Sequence, residues 1–73
     1  MFGIEVGKQI LAMYLGDIPV KGVITQSVDV NYLICLENEI RHAGIRREVG
    51  ESILIHATDV IGVVGEMKIE RVA

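Results

Sequence analysis

The chain has no tryptophan, one cysteine, one proline and only three aromatic side chains, Phe2, Tyr14 and Tyr32. Each scarcity excludes something. A lone thiol, Cys35, forms no internal disulfide, and the opening MFGIEVGKQ has no basic start leading into a long apolar region. Both features read as a protein of the reducing cytoplasm, with no signal peptide expected. The longest apolar run, ILAMYL at Ile10 to Leu15, falls far short of the ~18 residues of a spanning helix, so no membrane is expected as a partner. Three aromatics make a poor stacking platform for single-stranded nucleic acid. A net charge of −3 and a pI near 5.2 give no broad attraction to polyanions, although a local basic patch can oppose the overall sign.

Aliphatic side chains are what the sequence has in excess. Hydrophobic residues make up 51% of the 73 positions, and mean hydropathy is +0.45. With so few aromatics, that content is mostly Ile, Val and Leu, the residues that suit a pleated sheet. The length sets one domain, residues 1–73, and a chain this short buries only ~60% of the surface its unfolded form exposes. A surplus of apolar surface in a small chain is covered by a membrane, a partner or a copy of itself. With the membrane excluded, self-association as a dimer or higher homo-oligomer is the expectation.

Local pattern points to strands. Residues 8–15 allow two readings: Ile10, Leu11, Tyr14 and Leu15 match helical spacing, but a lone two-turn helix is marginal, and a strand buried on both faces is favoured. Val20 to Val30 alternates and is rich in β-branched residues, with Gly22 read as a bulge or sharp bend. In the next strand Tyr32, Ile34 and Leu36 face one way and Leu33, Cys35 and Glu37 the other. NEIRHAGIRREVGES is either a long hairpin with arms IRHA and IRREV or an irregular loop. SILIHA is a strand, ATDV a short turn, VIGVVG a last strand, and EMKIERVA an edge strand. The expected fold is all-β: a small, strongly bent barrel of five to six strands. The alternative is an α+β fold with a helix at residues 8–15.

The run from LGDIPVKGVITQS through YLICLE to SILIHATDVIGVV resembles the strand order of SH3-like small β-barrels, over residues 8–64. In that superfamily a strongly bent second strand follows a loop, and one tight turn separates the fourth strand from a short fifth, as ATDV would before IGVV. The aromatic groove such domains use for proline-rich peptides has no counterpart here, so that activity is not implied. The chain also resembles small orphan proteins carried on mobile elements such as phages and integron cassettes.

Candidate chemistry centres on RHAGIRR. Arg41, His42, Arg46 and Arg47 lie within seven residues, and guanidinium groups suit bidentate contact with phosphate or carboxylate. The competing reading is a solvated loop in which Glu37, Glu39, Glu48 and Glu51 neutralise them, each exposed pair contributing ~0–1 kcal/mol. His56 shares a strand face with Leu54 and reads as a satisfied, half-buried histidine, a partner contact if it lies at an interface. Cys35, in an apolar run, reads as a small buried hydrophobe. No paired spacing of Cys and His suggests a metal, no glycine pattern suggests a phosphate loop, and no serine elbow is present, so no cofactor is implied. The functional expectation is a non-catalytic binding or regulatory module acting as a homo-oligomer, with a protein or phosphate-containing partner. The alternatives are nucleic-acid or nucleotide-phosphate binding through Arg41, Arg46 and Arg47, and an enzyme whose pocket forms between subunits near His56 or Tyr32.

Overall fold

The structure is a computed structural model and describes residues 3–65. It is all-β. Strands β1 (Gln9–Tyr14), β2 (Ile18–Val28) and β3 (Asn31–Leu36) follow one another through short turns. A small hairpin of β4 (Ile40–His42) and β5 (Ile45–Arg47) comes next. β6 (Ser52–His56) then leads through one turn of 3-10 helix, Ala57–Asp59, into β7 (Val60–Val63). The edge strand expected of EMKIERVA lies outside the described residues.

The helix alternative for residues 8–15 is overturned. Ile10 and Ala12 are fully buried while Leu11 and Met13 face outward, a period of two that only a strand produces. The same alternation runs through Ile18, Val20 and Ile24 of β2, Tyr32, Ile34 and Leu36 of β3, and Ile53 and Ile55 of β6, all buried. Together with Ile40 and Ala57 these residues make one core, and no polar side chain is buried among the described residues. Burying each Ile or Leu contributes ~1.5–3 kcal/mol over leaving it exposed, so the repeated aliphatic choice on one face is the main source of stability.

The main sheet has the order β6-β3-β2-β1-β7, with every neighbouring pair antiparallel. The eleven-residue β2 serves both halves, pairing with β1 through Ile18 to Val23 and with β3 through Gly22 to Val28. Its register against β3 shifts between Ile24 and Gln26, so the bulge lies just beyond Gly22 rather than at it. Gly22 has a different task. It sits in regular register opposite Ile10 and Leu36, where a Cβ would come 2.6 Å from the Cys35 carbonyl oxygen and 3.0 Å from Ile34 Cδ1. Only a residue without a side chain lets the strands pack that closely.

The sheet curls over its own inner face. In a flat sheet β1 and β6, with two strands between them, would lie ~14 Å apart. Here their Cα atoms approach within 8 Å, and so do those of β1 and the 3-10 turn. Residues 3–8 add to one end: the Gly3 and Ile4 amides both donate to the Tyr32 hydroxyl at 3.2 Å, and the Gly7 amide donates to the Ile24 carbonyl at 2.8 Å. The curl stops short of closure. Among the described residues no ladder joins β6 to β7, so this is a bent open sheet with two edges and not a closed barrel.

Candidate functional site

The arginine-rich segment folds as a hairpin. Ile40 pairs with Arg47, Arg41 with Arg46 and His42 with Ile45. The two-residue loop needs left-handed backbone at both positions, and Ala43 (φ 50°) and Gly44 (φ 85°) adopt it. Ile40, 2% exposed, anchors the hairpin in the core, and β4 packs against β2.

Register decides which charges meet. Residues directly opposite share a face, so Arg41 and Arg46 stand side by side on the exposed outer face. Arg47 lies opposite Ile40, on the face turned to the core, and its guanidinium donates to the Arg46 carbonyl at 2.9 Å. The three arginines therefore do not share one face; Arg41 and Arg46 do. His42 shares the inner face with Ile45. Each member of the outer pair has its own acid: Arg41 lies 2.8 Å from Glu39 and Arg46 3.8 Å from Glu48. Glu37 and Glu51 are engaged elsewhere, Glu37 accepting from Gln9 Nε2 and Glu51 from the Glu48 amide at 2.6 Å. The hairpin tip borders a shallow hollow of about 400 Å³ lined by Arg41, His42, Gly44, Ile45 and Arg46.

A second feature was not singled out by the sequence reading. On the outer side of the main sheet, Leu11, Pro19, Lys21, Asn38 and Ile61 line an apolar groove of about 360 Å³. Leu11 and Lys21 pair across β1 and β2, and Asn38 fixes the rim by accepting from the Lys21 amide at 2.6 Å. The signal was present: Leu11, Leu33 and Leu54 are aliphatic at outward positions of the alternation. Leu33 and Leu54 are direct neighbours across β3 and β6, and Leu54 and Ile61 are 50% and 57% exposed.

His56 is exposed rather than half-buried, but it is satisfied. Its Nδ1 accepts from the Thr58 amide at 3.1 Å and lies 2.8 Å from the Thr58 hydroxyl, capping the 3-10 turn. A ring nitrogen that accepts from an amide carries no hydrogen, so in the neutral ring the proton is on Nε2. Cys35 is half-buried rather than buried, its sulfur 3.7 Å from the Gly50 carbonyl oxygen. Tyr32 is 3% exposed and its hydroxyl accepts from the Gly3 and Ile4 amides. Among the described residues no group of three His, Cys, Asp or Glu side chains is placed to hold a metal ion. Among them, too, no helix is long and apolar enough to cross a membrane. Compared with protein-family models, with curated proteins and with solved structures, the chain matches none.

Proposed function

We propose that the protein is a small non-catalytic binding module of SH3-like barrel ancestry that works in the cytoplasm as a homo-oligomer. The observation that carries the reading is the aliphatic surface left on the outer side of the sheet: Leu33 and Leu54 on β3 and β6, and Leu11 and Ile61 at the apolar groove. A core already complete on the inner face has no use for these side chains, and outward positions are ordinarily polar. The kinship is supported by the long shared β2 and by the 3-10 turn between β6 and β7. Sedimentation velocity across micromolar concentrations tests the assembly. Reversible dimers or larger species are expected, and a monomer at every concentration would sink the reading.

A second reading has its own observation: Arg41 and Arg46 present two guanidiniums on one exposed face. Such a pair suits a phosphate or carboxylate group, and the acids beside it would be displaced by a stronger anion. Arg47 takes no part in this version. Binding of a short oligonucleotide, measured at two salt concentrations, should fall with salt and disappear in an Arg41→Ala, Arg46→Ala variant. Binding that ignores both changes removes it.

A further inference from the structure

The two edges of the open sheet are not equivalent. β7 is four residues long, contains Gly62, and meets β1 across a register shift, so it is a poor template for another strand. β6 is the opposite. SILIH carries no formal charge, no proline and no bulge, and its register with β3 is unbroken from Ser52 to His56. Among the described residues, neither a charge, a proline nor a bulge blunts this edge.

Its hydrogen-bond phase can be read directly. The Leu36 amide donates to the Glu51 carbonyl at 2.9 Å, and the Ala57 amide donates to the Val30 carbonyl at 2.8 Å. In an antiparallel ladder bonded and non-bonded positions alternate, so Glu51, Ile53, Ile55 and Ala57 bond to β3. Ser52 and Leu54 then turn their amides and carbonyls to the open edge, and His56 its amide, the His56 carbonyl being engaged at the N-cap of the 3-10 turn.

From this edge we infer that β6 pairs with β6 of a second copy, antiparallel about a two-fold axis at Leu54. The inference rests on the self-association proposed above and names its surface. The strand is complementary to itself in that register. Leu54 meets Leu54, whose free amides and carbonyls face one another, and Ser52 meets His56 of the second copy, whose free amide faces the Ser52 carbonyl. About four backbone hydrogen bonds result, two at the Leu54 pair and one at each Ser52–His56 pair. On the inner face Ile53 comes opposite Ile55 of the second copy, so the two cores abut. On the outer face the Nε2 hydrogen of His56, left free by the Thr58 cap, faces the Ser52 hydroxyl. Charge is compatible as well: Glu51, the nearest acid before the strand, falls opposite Ala57, so no like charges meet. The area sets the strength. A stable dimer takes ~800 Å² from each partner, and a strand of ~17 Å supplies less, so the pairing is reversible rather than permanent.

Sedimentation of the full chain, of Leu54→Pro and of Asp17→Lys tests this. Proline at position 54 removes an edge amide but no bond to β3, and an outward edge amide is where a strand tolerates proline. Leu54→Pro should weaken self-association about tenfold or more, while Asp17→Lys, exposed on the turn between β1 and β2 and away from both the edge and the outer aliphatic surface, leaves it unchanged. A wild-type chain that is monomeric throughout ends both the self-association reading and this inference. A wild-type chain that associates while Leu54→Pro associates equally well overturns the inference alone and moves the interface elsewhere. Should Leu54→Pro fail to fold, amide exchange of the wild type decides. The Leu54 and His56 amides should exchange more slowly as concentration rises, and concentration-independent exchange at both overturns the pairing.

Discussion

The main sheet and the β4–β5 hairpin use opposite means to stay ordered. The sheet presents an aliphatic inner face from five strands, with no polar side chain buried among the described residues. The hairpin reaches the core through Ile40, with Ile45 partly buried beside it, and otherwise rests on local geometry. The Ala43–Gly44 turn and two exposed ion pairs are most of what it has. The sheet's stability is therefore collective, and the hairpin's depends on one anchor. Chemistry divides the same way: paired charge sits on the hairpin and surplus apolar surface on the sheet.

Breaking the sheet should cost most. Ile34→Ala removes a fully buried side chain at the centre of β3, flanked on both sides by strands that cannot collapse inward. Denaturant unfolding should show a loss of about 2–5 kcal/mol. Ile40→Ala deletes an equally buried group, but the hairpin can shift to fill the space, so the loss belongs at the low end, about 2 kcal/mol. The contrast sharpens in amide exchange. The first variant should speed exchange throughout the sheet, the second chiefly at β4 and β5. Equal, global acceleration in both would show that the hairpin is not a separate unit.

Next comes Gly22→Ala. The added Cβ meets the Cys35 backbone at 2.6 Å, and a backbone atom cannot swing aside as a side-chain tip does. The strands must separate locally, at a cost of about 1–3 kcal/mol by thermal or chemical unfolding. A neutral result would mean that the β2–β3 spacing is set by something other than this glycine.

These positions also show what was readable in the residues themselves. Alternation in VKGVI and YLICL separated the two faces of β2 and β3, because burial repeats with the pleat, whereas ILAMY read as buried on both faces and proved to alternate. The charged segment allowed a long hairpin with arms IRHA and IRREV or an irregular loop, and the structure has the hairpin with shorter arms, Ile40–His42 and Ile45–Arg47. Three things depended on pairing between distant strands and so were not readable. One is the bulge, which falls between Ile24 and Gln26 and not at Gly22. Another is the face of Arg47, which follows from its pairing with Ile40. The third is the groove, which brings Leu11, Asn38 and Ile61 together from separate parts of the chain.

The smallest effect lies in the hairpin's charges, and a double-mutant cycle measures it. Like charges directly opposite on antiparallel strands repel, and Arg41 and Arg46 occupy such a pair. Each is offset by its own acid, Glu39 at 2.8 Å and Glu48 at 3.8 Å, both exposed and screened by water. Replacing either arginine by Thr should therefore change stability by no more than about 0.5 kcal/mol. The coupling between the two replacements isolates the repulsion from the ion pairs, because each acid is lost to only one arginine. It should be unfavourable, about 0.2–1 kcal/mol at low salt, and should fade as salt is added. An anion seated between the guanidiniums would reverse the sign, since both arginines would then hold one charge in common. An unfavourable coupling in dilute buffer that turns favourable on adding inorganic phosphate would support the anion-binding reading of this face. Coupling that stays unfavourable at every phosphate concentration assigns the pair to solvent.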